Sequence, residues 1–190
     1  MIRTIEALQA RLSEARAAFW TDNGREPVVA LVSTLGALHD GHIDLIALAR
    51  ERADVVVVCT YVNPLRFRTA DETAAYPRSA DEYEALLASL GVDVVFAPET
   101  IDFLPAGTGT TKIAAGDLGL RYEGRTRPFY FDGLLTVEAK LLMLVRPDLA
   151  VYGERDPQRV FLVRRMIRDL HLGVDVMTVP TVRSDDGLPV

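Results

Sequence analysis

The stretch Val28-Val29-Ala30-Leu31-Val32-Ser33-Thr34, followed at once by Leu35-Gly36-Ala37-Leu38-His39-Asp40-Gly41-His42, decides how the chain is read. The first part is short, apolar and β-branched, and is bounded by Pro27 and Gly36. It predicts a buried strand. The second part is a polar, glycine-bearing loop that opens a helix running to about Arg52. Two of the chain's three histidines stand within four residues at that helix start. At i and i+3 their side chains share one face. A helix N-terminus already favours anions through its free N–H groups and its dipole. Imidazoles placed there donate hydrogen bonds to phosphate oxygens as charge shifts onto them. Two histidines also suit a metal, but no third ligand stands at a readable spacing, so no metal site is expected.

The same strand-then-helix grammar continues in both directions. Residues 2–19 carry apolar positions at helical spacing. Residues 54–62 (DVVVVCTYV), 92–97 (VDVVFA), 149–152 and 174–179 predict further strands, and 111–114 a short one. Residues 80–90, 134–145 and 158–170 suit helices, and 65–79 look irregular. Continuous apolar strands separated by helices imply a parallel sheet covered on both faces. Right-handed crossovers then give an α/β fold with an open, doubly wound, Rossmann-like sheet. Ligands of such sheets bind beyond the carboxyl ends of the strands. That rule selects the loop at 35–42, the segment Asn63-Pro64-Leu65-Arg66, and the segment Gly153-Glu154-Arg155-Asp156-Pro157-Gln158-Arg159.

Composition sets the bounds. At 190 residues the chain suits one domain, which should bury about 70% of its unfolded surface. Its 27 acidic and 21 basic side chains give a net charge of -6, which offers no global attraction for nucleic acid or an anionic membrane. No apolar stretch is long enough to span a bilayer, and the N-terminal segment has no apolar signal-peptide core. Cys59 is the only cysteine, so no internal disulfide forms, and its place in an apolar strand suggests an inert thiol. A cytoplasmic location is expected.

The strand-loop-helix with His39 and His42 resembles the HIGH-type nucleotidyltransferase superfamily. The segments VSTLGALHDGHIDLI, YVNPLRF, AYPRS, GVDVVFAP, FDGLLTVEAKLL, RPDLAVYGERDPQR and VPTVRSDDGL, in this order, resemble the N-terminal domain of the pantothenate synthetase (pantoate–β-alanine ligase) family. The resemblance implies an ATP-dependent ligase that activates a small acid as an acyl-adenylate and transfers it to an amine, with magnesium accompanying ATP. It implies catalytic roles for His39, His42 and Arg155. ATP would lie against Leu35, His39, Gly41, His42, Gly153, Arg155, Asp156 and Val182. The acid would face Asn63, Arg66, Gln158 and Arg159. It further implies a homodimer, and residues 1–183 as the nucleotide-binding domain. Residues 184–190 would then begin the loop toward a C-terminal closing domain absent from this chain.

The departures from that family cluster at the inferred site. Ser33 and Leu35 replace a proline and a methionine, Arg66 and Arg159 replace two glutamines, Arg155 replaces a lysine, and Phe129-Tyr130 replace glycine–histidine. Arginine offers only donors and a fixed charge, where glutamine also accepts. Two inward-facing arginines would favour an acid more anionic than pantoate. Alternatively one reaches outward, or pairs with Asp81, Glu82 or Glu154. Nucleotidyl transfer without amide formation and a non-catalytic nucleotide-binding remnant are the other functions compatible with the motifs.

Overall fold

A computed structural model describes residues 1–77, 80–104 and 111–190; Arg78 and Ser79 of the AYPRS segment lie outside the described residues. In chain order the elements are α1 (Ile5–Asn23), β1 (Val29–Thr34), α2 (Asp40–Arg52), β2 (Val55–Thr60), a 3-10 turn (Pro64–Arg66), α3 (Ala70–Ala75), α4 (Ala80–Ser89), β3 (Val94–Phe96) and α5 (Thr100–Phe103). A second 3-10 turn (Gly116–Leu120), α6 (Glu123–Thr126), α7 (Tyr130–Val145), β4 (Leu149–Gly153), α8 (Pro157–Asp169) and β5 (Asp175–Val179) complete it.

The five described strands form one parallel sheet in the order β3-β2-β1-β4-β5. This is the expected doubly wound α/β architecture, and strand order reverses between β1 and β4. Register follows from the period-two pattern of β1. Val29 and Leu31 turn toward the face covered by α1, α7 and α8, where they join Leu8, Leu134, Leu141 and Val163 in one core. Ala30 and Val32 turn the other way and pack with Ile46 and Ala49 of α2 and Leu87 of α4. Both faces are dry, so the strands read as unbroken apolar runs. Cys59 is wholly buried in β2, where burial and then the Glu138 charge raise its thiol pKa far above the ordinary range.

The structure differs from the sequence reading in four places. Helix α1 runs on to Asn23, and stops where Gly24 takes a left-handed conformation and its N–H donates to the Trp20 carbonyl at 2.8 Å. Helix α7 starts at Tyr130, one turn before the expected Leu134, directly after Phe129 at φ 66°. Residues 111–114 are not a strand. The Ile113 N–H donates to Thr136 Oγ1 at 3.0 Å, and the Ala115 N–H to Asp132 Oδ1 at 2.7 Å. Side chains of α7 thus satisfy backbone groups that a strand would have paired. Residues 65–77, read as irregular, hold a 3-10 turn and α3, which Thr69 caps by accepting from the Glu72 N–H.

Candidate active site

The carboxyl ends of β1 and β4 open into a cavity of about 890 Å³. All twelve residues selected from the sequence border it: Leu35, His39, Gly41, His42, Asn63, Arg66, Gly153, Arg155, Asp156, Gln158, Arg159 and Val182 are brought together around one space.

The histidines are placed by the turn that leaves β1. Gly36 at φ 95° and Ala37 at φ 46° reverse the chain, and the Gly36 N–H donates to Thr34 Oγ1 at 3.0 Å. Helix α2 is then capped by the two imidazoles themselves. His39 Nδ1 accepts from the Gly41 N–H at 3.2 Å, and His42 Nδ1 accepts from the His39 N–H at 3.3 Å. The rings lie 4.1 Å apart, tilted by 55°. A ring whose Nδ1 accepts carries its neutral-form proton on Nε2. Burial, then the Arg155 charge, lowers the His39 pKa. Burial, then the charges of His39, Arg159 and Arg155, pushes His42 down to about 4. At neutral pH both rings are therefore uncharged, with Nε2–H as the remaining donor. Gly41 fits this cap closely: a Cβ there would stand 3.0 Å from His39 Cε1 and 3.2 Å from Nδ1, so the ring would have to give by a few tenths of an ångström.

Asn63 is buried at the start of the 3-10 turn. Its Oδ1 accepts from the Leu65 N–H at 2.9 Å, and its Nδ2 donates to the Gly133 carbonyl at 3.3 Å. The approach depends on Gly133, where a Cβ would fall 2.5 Å from Leu65 Cβ. Arg66 turns to Tyr130, whose hydroxyl accepts from its Nε at 3.1 Å and its Nη2 at 2.7 Å. Asp156 caps α8 by accepting from the Arg159 N–H at 2.9 Å, with Pro157 in the first helical turn. Gln158 spends its amide on the segment opposite: Nε2 donates to the Leu118 and Arg121 carbonyls, and Oε1 accepts from the Glu123 N–H. Its side chain is a strut for the cavity wall, not a free group facing an acid.

Arg159 corrects the expectation of two uncommitted arginines. Its guanidinium pairs with Glu138 of α7 and donates to Ser33 Oγ at 2.7 Å. The Glu138 carboxylate also accepts from Ser33 Oγ at 3.1 and 3.2 Å and from the Tyr152 hydroxyl at 3.1 Å. The side chain of Glu138 is 6% exposed and that of Arg159 17%. Burial, then the Glu138 charge, raises the Tyr152 pKa well above its ordinary value. Of the partners weighed for the arginines, Glu154 instead accepts from Thr178, and the side chains of Asp81 and Glu82 lie outside the described residues. Sequence reasoning passed over Glu138. Its signal was available: it lies three residues after Leu135, four after Leu134 and seven after Phe131, a charge in the middle of an apolar helical stripe.

Among the described residues no group of three or more His, Cys, Asp or Glu side chains converges on a metal position. The pantoate–β-alanine ligase family model matches residues 1–190. The chain belongs to that family. Pantothenate synthetase of Streptomyces avermitilis is 46% identical over 191 residues, covering 99% of this chain and 54% of its own. That of Acidothermus cellulolyticus is 49% identical over 160 residues, covering 84% of this chain and 52% of its own. The chain thus spans about half the length of the curated relatives it matches. Among solved structures, pantothenate synthetase of Thermus thermophilus superposes with a TM-score of 0.86 at 38% identity, covering all of this chain and 64% of that one. Pantoate–β-alanine ligase of Francisella tularensis, solved with β,γ-ATP and β-alanine, gives 0.88 at 34% identity, covering all of this chain and 70% of that one. Ser33, Arg66, Tyr130 and Arg159 all border the cavity.

Proposed function

We propose that this cavity activates a small carboxylic acid with ATP and passes the acyl group to an amine such as β-alanine. The observation that carries the reading is the reciprocal imidazole cap, which leaves two neutral Nε2–H donors at the N-terminus of α2. In the first step an acid oxygen bonds to the α-phosphorus and pyrophosphate leaves. In the second the amine nitrogen bonds to the acyl carbon, AMP leaves, and the amine loses a proton. Negative charge develops on phosphate oxygens in the first step, so fixed N–H donors from His39 and His42 and the Arg155 cation lower its barrier. Because they are neutral, the histidines donate without holding the departing pyrophosphate by charge. Leu35, Gly41, Gly153, Asp156 and Val182 form the nucleotide side of the cavity in this reading, and Asn63 and Arg66 the acid side. The donor-rich lining suits a triphosphate; magnesium would ride on the phosphates, neutralising their charge, without a dedicated protein cage. A cytoplasmic homodimer fits the family, and sedimentation at twice the monomer mass tests it.

Product analysis tests the reaction. Incubation with ATP, pantoate and β-alanine should release AMP and pyrophosphate in step with amide. Release of ADP and phosphate would contradict it, and AMP transfer onto a phosphorylated alcohol would favour nucleotidyl transfer.

A further inference from the structure

We propose that Glu138 sets the charge selectivity of the acid subsite, by holding Arg159 with an internal carboxylate so that an incoming acid meets one uncommitted guanidinium instead of two. The inference rests on the ligase reading of the cavity. Four elements converge to build the device. Ser33 lies near the end of β1 on the face turned toward α7, Tyr152 lies near the end of β4, Glu138 projects from α7 and Arg159 from α8. All four side chains border the cavity.

Glu138 receives donors from Ser33, Tyr152 and Arg159 at once, so its orientation is fixed before any ligand arrives. A second anionic group on a ligand would have to take Arg159 from it. That would leave a nearly buried carboxylate without its cation, which is the costly way to break such a pair. Otherwise the second group would sit unpaired beside Glu138, against like charge. Arg66 stands differently. It is held by a neutral hydroxyl, and no carboxylate pairs with it among the described residues. The Tyr130 oxygen accepts twice from Arg66, which leaves its own O–H free to donate. One guanidinium and one hydroxyl thus await one carboxylate. Arg159 stays latent, with its Nε–H buried and without a hydrogen-bond partner among the described residues, so loss of the Glu138 charge should release it.

The test measures direct binding of pantoate, with one carboxylate, and malate, with two, to the 190-residue chain saturated with a non-hydrolysable ATP analogue. The native chain should bind pantoate at least tenfold more tightly than malate. Glu138→Gln keeps the shape, frees Arg159, and should shrink that ratio tenfold or invert it. Glu138→Gln with Arg159→Gln should restore the native preference. Should Glu138→Gln not fold, Arg159→Gln alone exposes the lone carboxylate and should weaken pantoate binding tenfold or more. An unchanged ratio in Glu138→Gln, unchanged pantoate affinity in Arg159→Gln, equal native affinity for the two acids, or no binding of either would overturn the proposal. If the ratio shifts as stated but no acid supports pyrophosphate exchange, the selectivity device stands and the ligase reading falls.

Discussion

The Ser33 hydroxyl near the end of β1 accepts a 2.7 Å hydrogen bond from the Arg159 guanidinium on α8, and both stand where the family resemblance implies other residues. The same holds for Arg66, which donates to Tyr130 at 2.7 Å. The positions that the resemblance implies are departures therefore form touching pairs, each cation beside an oxygen acceptor. A drifted pocket, with side chains swung into solvent, would not show this pairing. Coupling between Ser33→Ala and Arg159→Gln follows. Their effects on unfolding free energy should be non-additive by about 0.5–3 kcal/mol, as is usual for groups in one network. Urea unfolding of the four proteins of the cycle measures it, and strict additivity would contradict the network.

Removal of a phosphate-facing donor should cost rate more than binding. His42→Ala is expected to slow acid-dependent pyrophosphate exchange about a hundredfold, on the order of 3 kcal/mol in barrier. Activity surviving unchanged would remove the ring from the mechanism.

Acid should destabilise the fold in a defined window. His42 is uncharged in the folded chain down to about pH 4, whereas in the unfolded chain it takes a proton near its ordinary 6.5. Between those values the unfolded state binds more protons, so stability falls as pH falls. Urea midpoints of the native chain should decline from pH 7 to pH 4.5 more steeply than those of His42→Asn. Parallel slopes would place the ring in a more open environment than the structure gives it.

Close packing at the acid side predicts a steric cost. Gly133→Ala places a methyl 2.5 Å from Leu65 Cβ and pries apart the turn that holds Asn63. It should destabilise the chain by about 1–3 kcal/mol and weaken acid binding more than ATP binding. Thermal unfolding and the two binding isotherms check the two halves separately.

The sheet and the placing of the paired histidines at a strand end were legible because their signals are local. Unbroken apolar runs such as VVVVC require cover on both faces, and paired histidines after such a run fall at a strand end by topology alone. The cavity wall around Arg159 was less legible because it is assembled from distant residues. Arg159 read as a free cation since nothing near it in sequence marks a partner; Glu138 lies 21 residues away, on another helix. Gln158 read as a ligand contact for the same reason, while its amide is spent on carbonyls about 40 residues upstream. The helix reading of α7 weighed its apolar stripe and not the one charge inside it. The segment 111–114 looked like a strand from its composition, but the N–H groups of Ile113 and the adjoining Ala115 are met by side chains of α7 that no local pattern reveals.

The central claim is that the cavity at the β1–β4 switch point adenylates a carboxylic acid. Exchange of labelled pyrophosphate into ATP, measured with and without pantoate, tests it most directly. Exchange that requires the acid, and that drops about a hundredfold in His42→Ala, is the predicted result. ATP binding without acid-dependent exchange, across pantoate and a panel of small acids, would contradict the claim.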